Sequence, residues 1–196
     1  MRQRTFQIIL GPVLSAALAT SAIATDDTAR RPKGPFAGDL VVQRPDRQPF
    51  RIKIYYGKDH IRMDMPLARQ QLVTIVDRIR RETVLLLPHR QEFMRIPSSR
   101  RSRAAVDHLI EVRGGLKAIR QEKVGGIVAT KYALTTKTAT GATFEGHVWL
   151  TADNIMILTV GQTPKGPVKI ALHNLRRGPV DPALFVVPSG YVEKVR

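Results

Sequence analysis

The sequence contains no cysteine. Disulfides, cysteine-ligated zinc or iron–sulfur sites, a catalytic thiol and a lipid anchor on an N-terminal cysteine are therefore excluded. Acidic residues are scarce as well: 16 Asp and Glu face 32 Lys and Arg, a formal net charge of +16. Such an excess bears on partners and solubility rather than on fold. Beyond Thr25 no apolar run is long enough to span a bilayer. No HExxH, no GxSxG and no glycine-rich phosphate loop occurs. Neither a repeat, nor a low-complexity segment, nor a domain boundary is visible. The 196 residues make one domain or at most two small ones. A hydrophobic content of 43% is that of a globular chain, able to bury a core without a covalent staple.

The N-terminus changes the meaning of the charge. Met1-Arg2-Gln3-Arg4 is a short basic stretch, Thr5 to Thr25 carries no charge, and Ala22-Ile23-Ala24 is an A-x-A pattern. This predicts a secretory signal peptide, residues 1–24, cleaved after Ala24. Pro12 and the small-residue end favour cleavage over retention as an anchor. The expected location is the periplasm or the exterior. Loss of Arg2 and Arg4 leaves 30 basic against 16 acidic residues, a formal +14. On an exported protein, nucleic acid falls behind anionic membrane surfaces and acidic envelope proteins as a partner. Residues 25–35, polar and basic with Pro32 and Pro35, read as a flexible arm ahead of a domain spanning 36–196.

That domain reads as short strands. Phe50, Ile52, Ile54 and Tyr56 alternate with Arg51, Lys53 and Tyr55, and Gly57-Lys58-Asp59 supplies a hairpin turn. Ile61, Met63 and Met65 then alternate with Arg62 and Asp64. Further strands are expected at 36–44, 72–77, 83–87 and 92–96, and again at 116–124, 127–135, 142–151, 155–162 and 168–176. Turn residues separate them at close intervals, as in an antiparallel meander. Ser98–Val112 differs: Ala104, Ala105, Leu109 and Val112 recur at helical spacing, with Ser98 or Ser99 as cap and Gly114-Gly115 as stop. Residues 182–191 read as a short turn of helix and an ordered edge. The fold class is mainly β with some α. One antiparallel sheet of about eleven strands, strongly curved because a flat one would split or curl, forms an open half-barrel around one or two helices.

Candidate chemistry is sparse. His60 and Asp64 share a strand face while Asp59 points away, the polarity of a solvated hairpin rather than a metal site. Glu145 and His147 share a face but lack a nucleophile and an orienting third group. No metal, no cofactor and no catalytic residue is expected. Arg78, Arg80 and Arg81 form one basic cluster, and Arg100, Arg101 and Arg103 another. Each reads either as a solvated turn or as an edge facing anions such as lipid headgroups. A curved sheet with only one clear helix to fill it leaves an apolar concavity, a ligand site where packing is incomplete. The residues expected to face it are Phe50, Ile52, Ile54, Ile61, Met63, Met65, Phe144, Val148 and Leu150.

Several stretches taken in order carry a resemblance: FRIKIYYGKDHIRMDM (50–65), VLLLP (84–88), EKVGGIVATKY (122–132), FEGHVWLT (144–151) and DPALFVVPSGY (181–191). Their order resembles the periplasmic carrier and acceptor of outer-membrane lipoproteins, the LolA/LolB-like superfamily, and more closely an uncharacterised, lipoprotein-sorting-like branch of it. The resemblance implies an open half-barrel with helices over its mouth and a hydrophobic cavity for acyl chains. Residues 25–35 do not read as the carrier's N-terminal helix. Arg44 and Arg51 are the nearest options for its lid-locking arginine, and the acceptor's lipidated cysteine is absent.

Three functions follow. The first is a soluble, non-enzymatic periplasmic carrier of acyl chains, lipid or lipoprotein, with basic rim residues toward anionic headgroups. The second is a protein-interaction or envelope-stress-sensing module on the same fold, without a lipid ligand. The third, an enzyme, lacks a catalytic constellation.

Overall fold

The computed structural model describes residues 30–67, 70–97, 106, 109–137 and 141–194. The expected signal peptide and most of the expected helix, with Arg100, Arg101 and Arg103, lie outside these residues.

The described chain forms one sheet. Its strands are β1 (Phe36–Arg44), β2 (Arg47–Tyr56), β3 (His60–Leu67), β4 (Gln70–Asp77), β5 (Glu82–Leu87), β6 (Glu92–Pro97), β7 (Gly115–Val124), β8 (Ile127–Lys137), β9 (Thr143–Leu150), β10 (Met156–Thr163), β11 (Gly166–Arg177) and β12 (Val192–Glu193). The order in space is β12-β6-β5-β4-β3-β2-β1-β11-β10-β9-β8-β7. Two meanders, β1–β6 and β7–β11, thus meet at a single seam where β1 pairs antiparallel with β11. The sheet is curved and unclosed, an open half-barrel. The strand count exceeds the expected eleven by β12, which runs parallel to β6. A two-residue pairing carries too little alternation to be read from sequence.

The period-2 pattern decides which face is buried. Leu40, Val42, Ile52, Ile54, Tyr56, Ile61 and Met63 are nearly inaccessible, whereas Arg51 and Lys53 are exposed. Val106 and Ile110 belong to the same cluster as Leu40, Ile52, Ile54, Tyr56, Ile61 and Met63, which places these two residues inside the concavity. Leu109 and Ile110 form a turn and Val112 is bridged to Arg30, so helical structure ends before the expected Val112. The bridge is reciprocal, Arg30 N–H to Val112 O at 2.8 Å and Val112 N–H to Arg30 O at 3.2 Å. Lys33 N–H also donates to Asp153 O at 3.0 Å. Gly178 N–H donates to Pro35 O at 3.1 Å, so residues 30–35 are tied to the domain at both ends of this short stretch.

β4 and β5 are buried on both faces, which explains the near-continuous apolar run of VTIV and TVLLL. Val73, Ile75, Val84, Leu86 and Phe93 line the convex side, and Phe185, Val187 and Tyr191 of the C-terminal segment cover them. Arg62 holds that segment by donating to Leu184 O at 3.0 Å, and the Asp181 carboxylate caps its first turn at Ala183 N–H.

The turn before β10 has its own polar lock. Arg177 donates to both oxygens of Asp153, at 2.7 and 3.2 Å, and Thr151 Oγ1 donates to Oδ1 at 2.5 Å. The Arg177 hydrogen bond, partly opposed by burial and aided by Thr151, lowers the Asp153 pKa to about 2. A carboxylate with a depressed pKa contributes stability above its ordinary pKa that is lost as pH falls through the folded value. The wild-type protein should therefore lose a small increment, about 1 kcal/mol for so exposed a pair, between roughly pH 4 and pH 2. Asp153→Asn should lack that increment throughout; parallel acid-unfolding curves for the two proteins at those pH values would contradict this assignment.

Candidate ligand-binding site

Where the residue 109–113 segment crosses β8–β11, the packing is incomplete. A cavity of about 210 Å³ remains between them. Its apolar wall is Leu109, Val112, Leu134, Phe144, Met156, Val168 and Ile170, with Thr136, Thr159 and Thr163 among them. Arg44, Arg113, Lys137 and Glu111 complete the lining. Its strand residues come from the end of β1, the end of β8, the start of β9, three positions along β10 and the start of β11.

Two facing glycines make room for the wall. Gly146 on β9 is the register partner of Gly161 on β10, and neither projects a side chain into the concavity. The Phe144 ring lies against the pair: a Cβ built on Gly161 would fall 2.5 Å from Phe144 Cζ, and one on Gly146 would fall 3.0 Å from it. An aromatic ring covering cross-strand glycines restores the packing the glycines forgo.

A polar cluster borders the cavity at Glu111. Glu111 has a side chain with no exposed surface, and three guanidinium groups converge on it. Arg78 donates to Oε1 in a short contact, Arg31 Nε lies 3.2 Å from the same oxygen, and Arg113 donates to Oε2 at 3.0 Å. The Arg78 guanidinium also lies 5.7 Å from the Tyr56 ring centre, and Tyr56 stacks on Phe36 with centroids 5.3 Å apart. Burial raises the Tyr56 pKa; neighbouring Arg78 opposes that rise. A buried carboxylate is tolerable only when paired and hydrogen-bonded, and here the partners come from residues 31, 78 and 113.

The residues singled out in the sequence separate into groups. Phe144 lines the cavity, and Val148 and Leu150 stand behind it in the same apolar cluster. Ile52, Ile54, Ile61 and Met63 belong to the cluster filled by Val106 and Ile110, and Met65 packs at its margin. Phe50 has the parity of Ile52 but is 43% exposed, because it sits at the open end of β2. Arg78 is parted from its sequence neighbours: it turns to Glu111, while Arg80 and Arg81 stay exposed in the β4–β5 turn. Sequence reading missed Arg113 and Lys137 as lining residues and Glu111 as the buried acid. Arg44, one of the two options for a lid-locking arginine, continues the inward series Leu40–Val42 beyond the last apolar residue and lines the cavity.

His60 Nε2 lies 3.5 Å from Asp77, and no group of three or more metal-ligating residues occurs among the described residues. No helix among them is long and apolar enough to cross a membrane.

No protein-family model matches the sequence, and no curated protein does. Solved structures do. The chain is similar to an uncharacterised conserved protein from Thermus thermophilus, with a TM-score of 0.56 at 13% identity over 83% of this chain and 91% of that one. The lipoprotein LppX of Mycobacterium tuberculosis aligns with a TM-score of 0.45 at 12% identity, over 76% and 90% of the two chains. The LolA superfamily protein NE2245 from Nitrosomonas europaea aligns with a TM-score of 0.39 at 8% identity, over 80% and 92%. At these identities what is shared is fold alone.

Proposed function

We propose that the protein is a non-enzymatic periplasmic carrier or binding protein that holds an acyl chain or another hydrophobic ligand in the concavity of its half-barrel. The observation that carries this reading is the cavity of about 210 Å³, walled by seven apolar side chains under the 109–113 segment. Concave apolar sites with a few converging polar groups are where small ligands bind. The concavity is filled over β1–β3 by Val106 and Ile110, so the space over β8–β11 is the part available to a ligand. The reading includes export: a signal peptide cleaved after Ala24 would deliver the chain to the periplasm, where lipid or lipoprotein is at hand.

The test is direct. Protein purified from the periplasm without detergent should release a lipid on organic extraction, identified by mass spectrometry. After delipidation it should bind a fluorescent fatty acid, and unlabelled fatty acid should displace it. Neither lipid in the extract nor binding afterwards would leave the concavity without a ligand and favour the interaction-module reading.

A further inference from the structure

We propose that the cavity selects a single alkyl chain ending in an anionic group, and that Arg44 and Lys137 at its rim hold that group; this rests on the carrier reading above. Size sets the chain number. An apolar cavity of about 150 Å³ accommodates benzene, so one of 210 Å³ accommodates about eight carbons on the same scale. That is the volume of one chain segment.

Charge sets the head. Three cations, Arg44, Arg113 and Lys137, line the cavity against one carboxylate, Glu111. That carboxylate is fully buried and already shared by Arg31, Arg78 and Arg113, so it does not oppose an anion at the rim. Arg44 has no acidic partner among the described residues. Lys137 Nζ bonds a neutral oxygen, Thr143 Oγ1, at 2.8 Å. A guanidinium and an ammonium at the mouth of an apolar space match a carboxylate or phosphate whose chain enters that space. Arg44 is placed for this by parity: it ends the β1 row of Leu40 and Val42 at the point where the strand turns out of the sheet.

The experiment is calorimetric titration of the purified delipidated protein at low ionic strength with decanoate, decyl phosphate, decanol and decyltrimethylammonium. Decanoate or decyl phosphate should bind about tenfold or more tighter than decanol, as charge-assisted hydrogen bonds require. Which of the two anions binds tighter distinguishes a fatty-acid source from a lysophospholipid source. Arg44→Gln and Lys137→Gln should each weaken decanoate about fivefold or more and leave decanol within about twofold. Arg44→Glu should turn the preference toward decyltrimethylammonium, a gain that misfolding cannot imitate. Equal binding of decanoate and decanol, or an undiminished decanoate affinity in both glutamine variants, overturns the headgroup assignment and leaves the carrier reading standing. No binding of any of the four overturns both.

Discussion

Glu111→Gln is expected to destabilise the protein by about 3 kcal/mol, at the lower end of what breaking a buried ion pair costs. The substitution keeps shape and removes the charge on which Arg31, Arg78 and Arg113 converge. Its amide nitrogen would also point a donor at groups that only donate. The penalty falls mainly on Arg78, whose side chain is 16% exposed, because Arg31 and Arg113, at 57% and 43%, can recover water. For a domain of this size that corresponds to a melting temperature lower by roughly 10 °C. Arg78→Gln should be costly too, and the double variant should cost clearly less than the sum of the two single ones. Thermal and urea unfolding of the three variants decides it. A Glu111→Gln protein within about 0.5 kcal/mol of wild type would show that water reaches all three arginines once the charge is gone.

Gly161→Ala should be nearly as damaging, by about 3 kcal/mol at the upper end of overpacking costs. The added methyl would lie 2.5 Å from Phe144 Cζ and 2.7 Å from Cε2, and would also strike the Glu145 backbone carbonyl. The ring can yield only by tipping into the cavity, which the paired β9–β10 backbone cannot do. Two readouts should therefore move together: the urea midpoint falls, and alkyl-chain binding weakens as the ring occupies the space. Replacing Phe144 by Leu in the Gly161→Ala protein should recover the ring's share of the loss and leave the carbonyl's share. An alanine variant with unchanged stability and unchanged binding would mean that the ring does not rest on the glycines.

The strands were legible because alternation and turn chemistry agree along most of this chain. Phe50–Tyr56, Gly57-Lys58-Asp59 and Ile61–Met65 reproduce hairpin β2–β3, with Gly57 N–H donating to His60 O at 2.8 Å. Legibility failed where a local pattern had a distant cause. Nothing within ETVLLL says that Phe185, Val187 and Tyr191, a hundred residues later, cover its outer face. Glu111 lies within the expected helix Ser98–Val112, between its apolar positions; the charge partners of its buried carboxylate include arginines at 31 and 78. The cavity itself was only foreseen as a surplus of sheet over helix. Its location depends on which part of the concavity Val106 and Ile110 fill, a matter of packing that periodicity does not encode. Lys137 escaped notice because strand-end charges ordinarily mark the way out to solvent.

The seam between the two meanders has a kinetic consequence. β1 and β11 are neighbours in the sheet, and the Asn174 side chain reaches Asp39 across 135 residues of sequence at 2.6 Å. Neither meander completes its buried face until the other is present, so the loop-closure entropy of most of the chain is spent before the central contacts are made. The C-terminal strap adds a second delay, since β4 and β5 remain bare on one side until residues 185–191 arrive. Such a topology resists premature folding of any N-terminal portion of the chain.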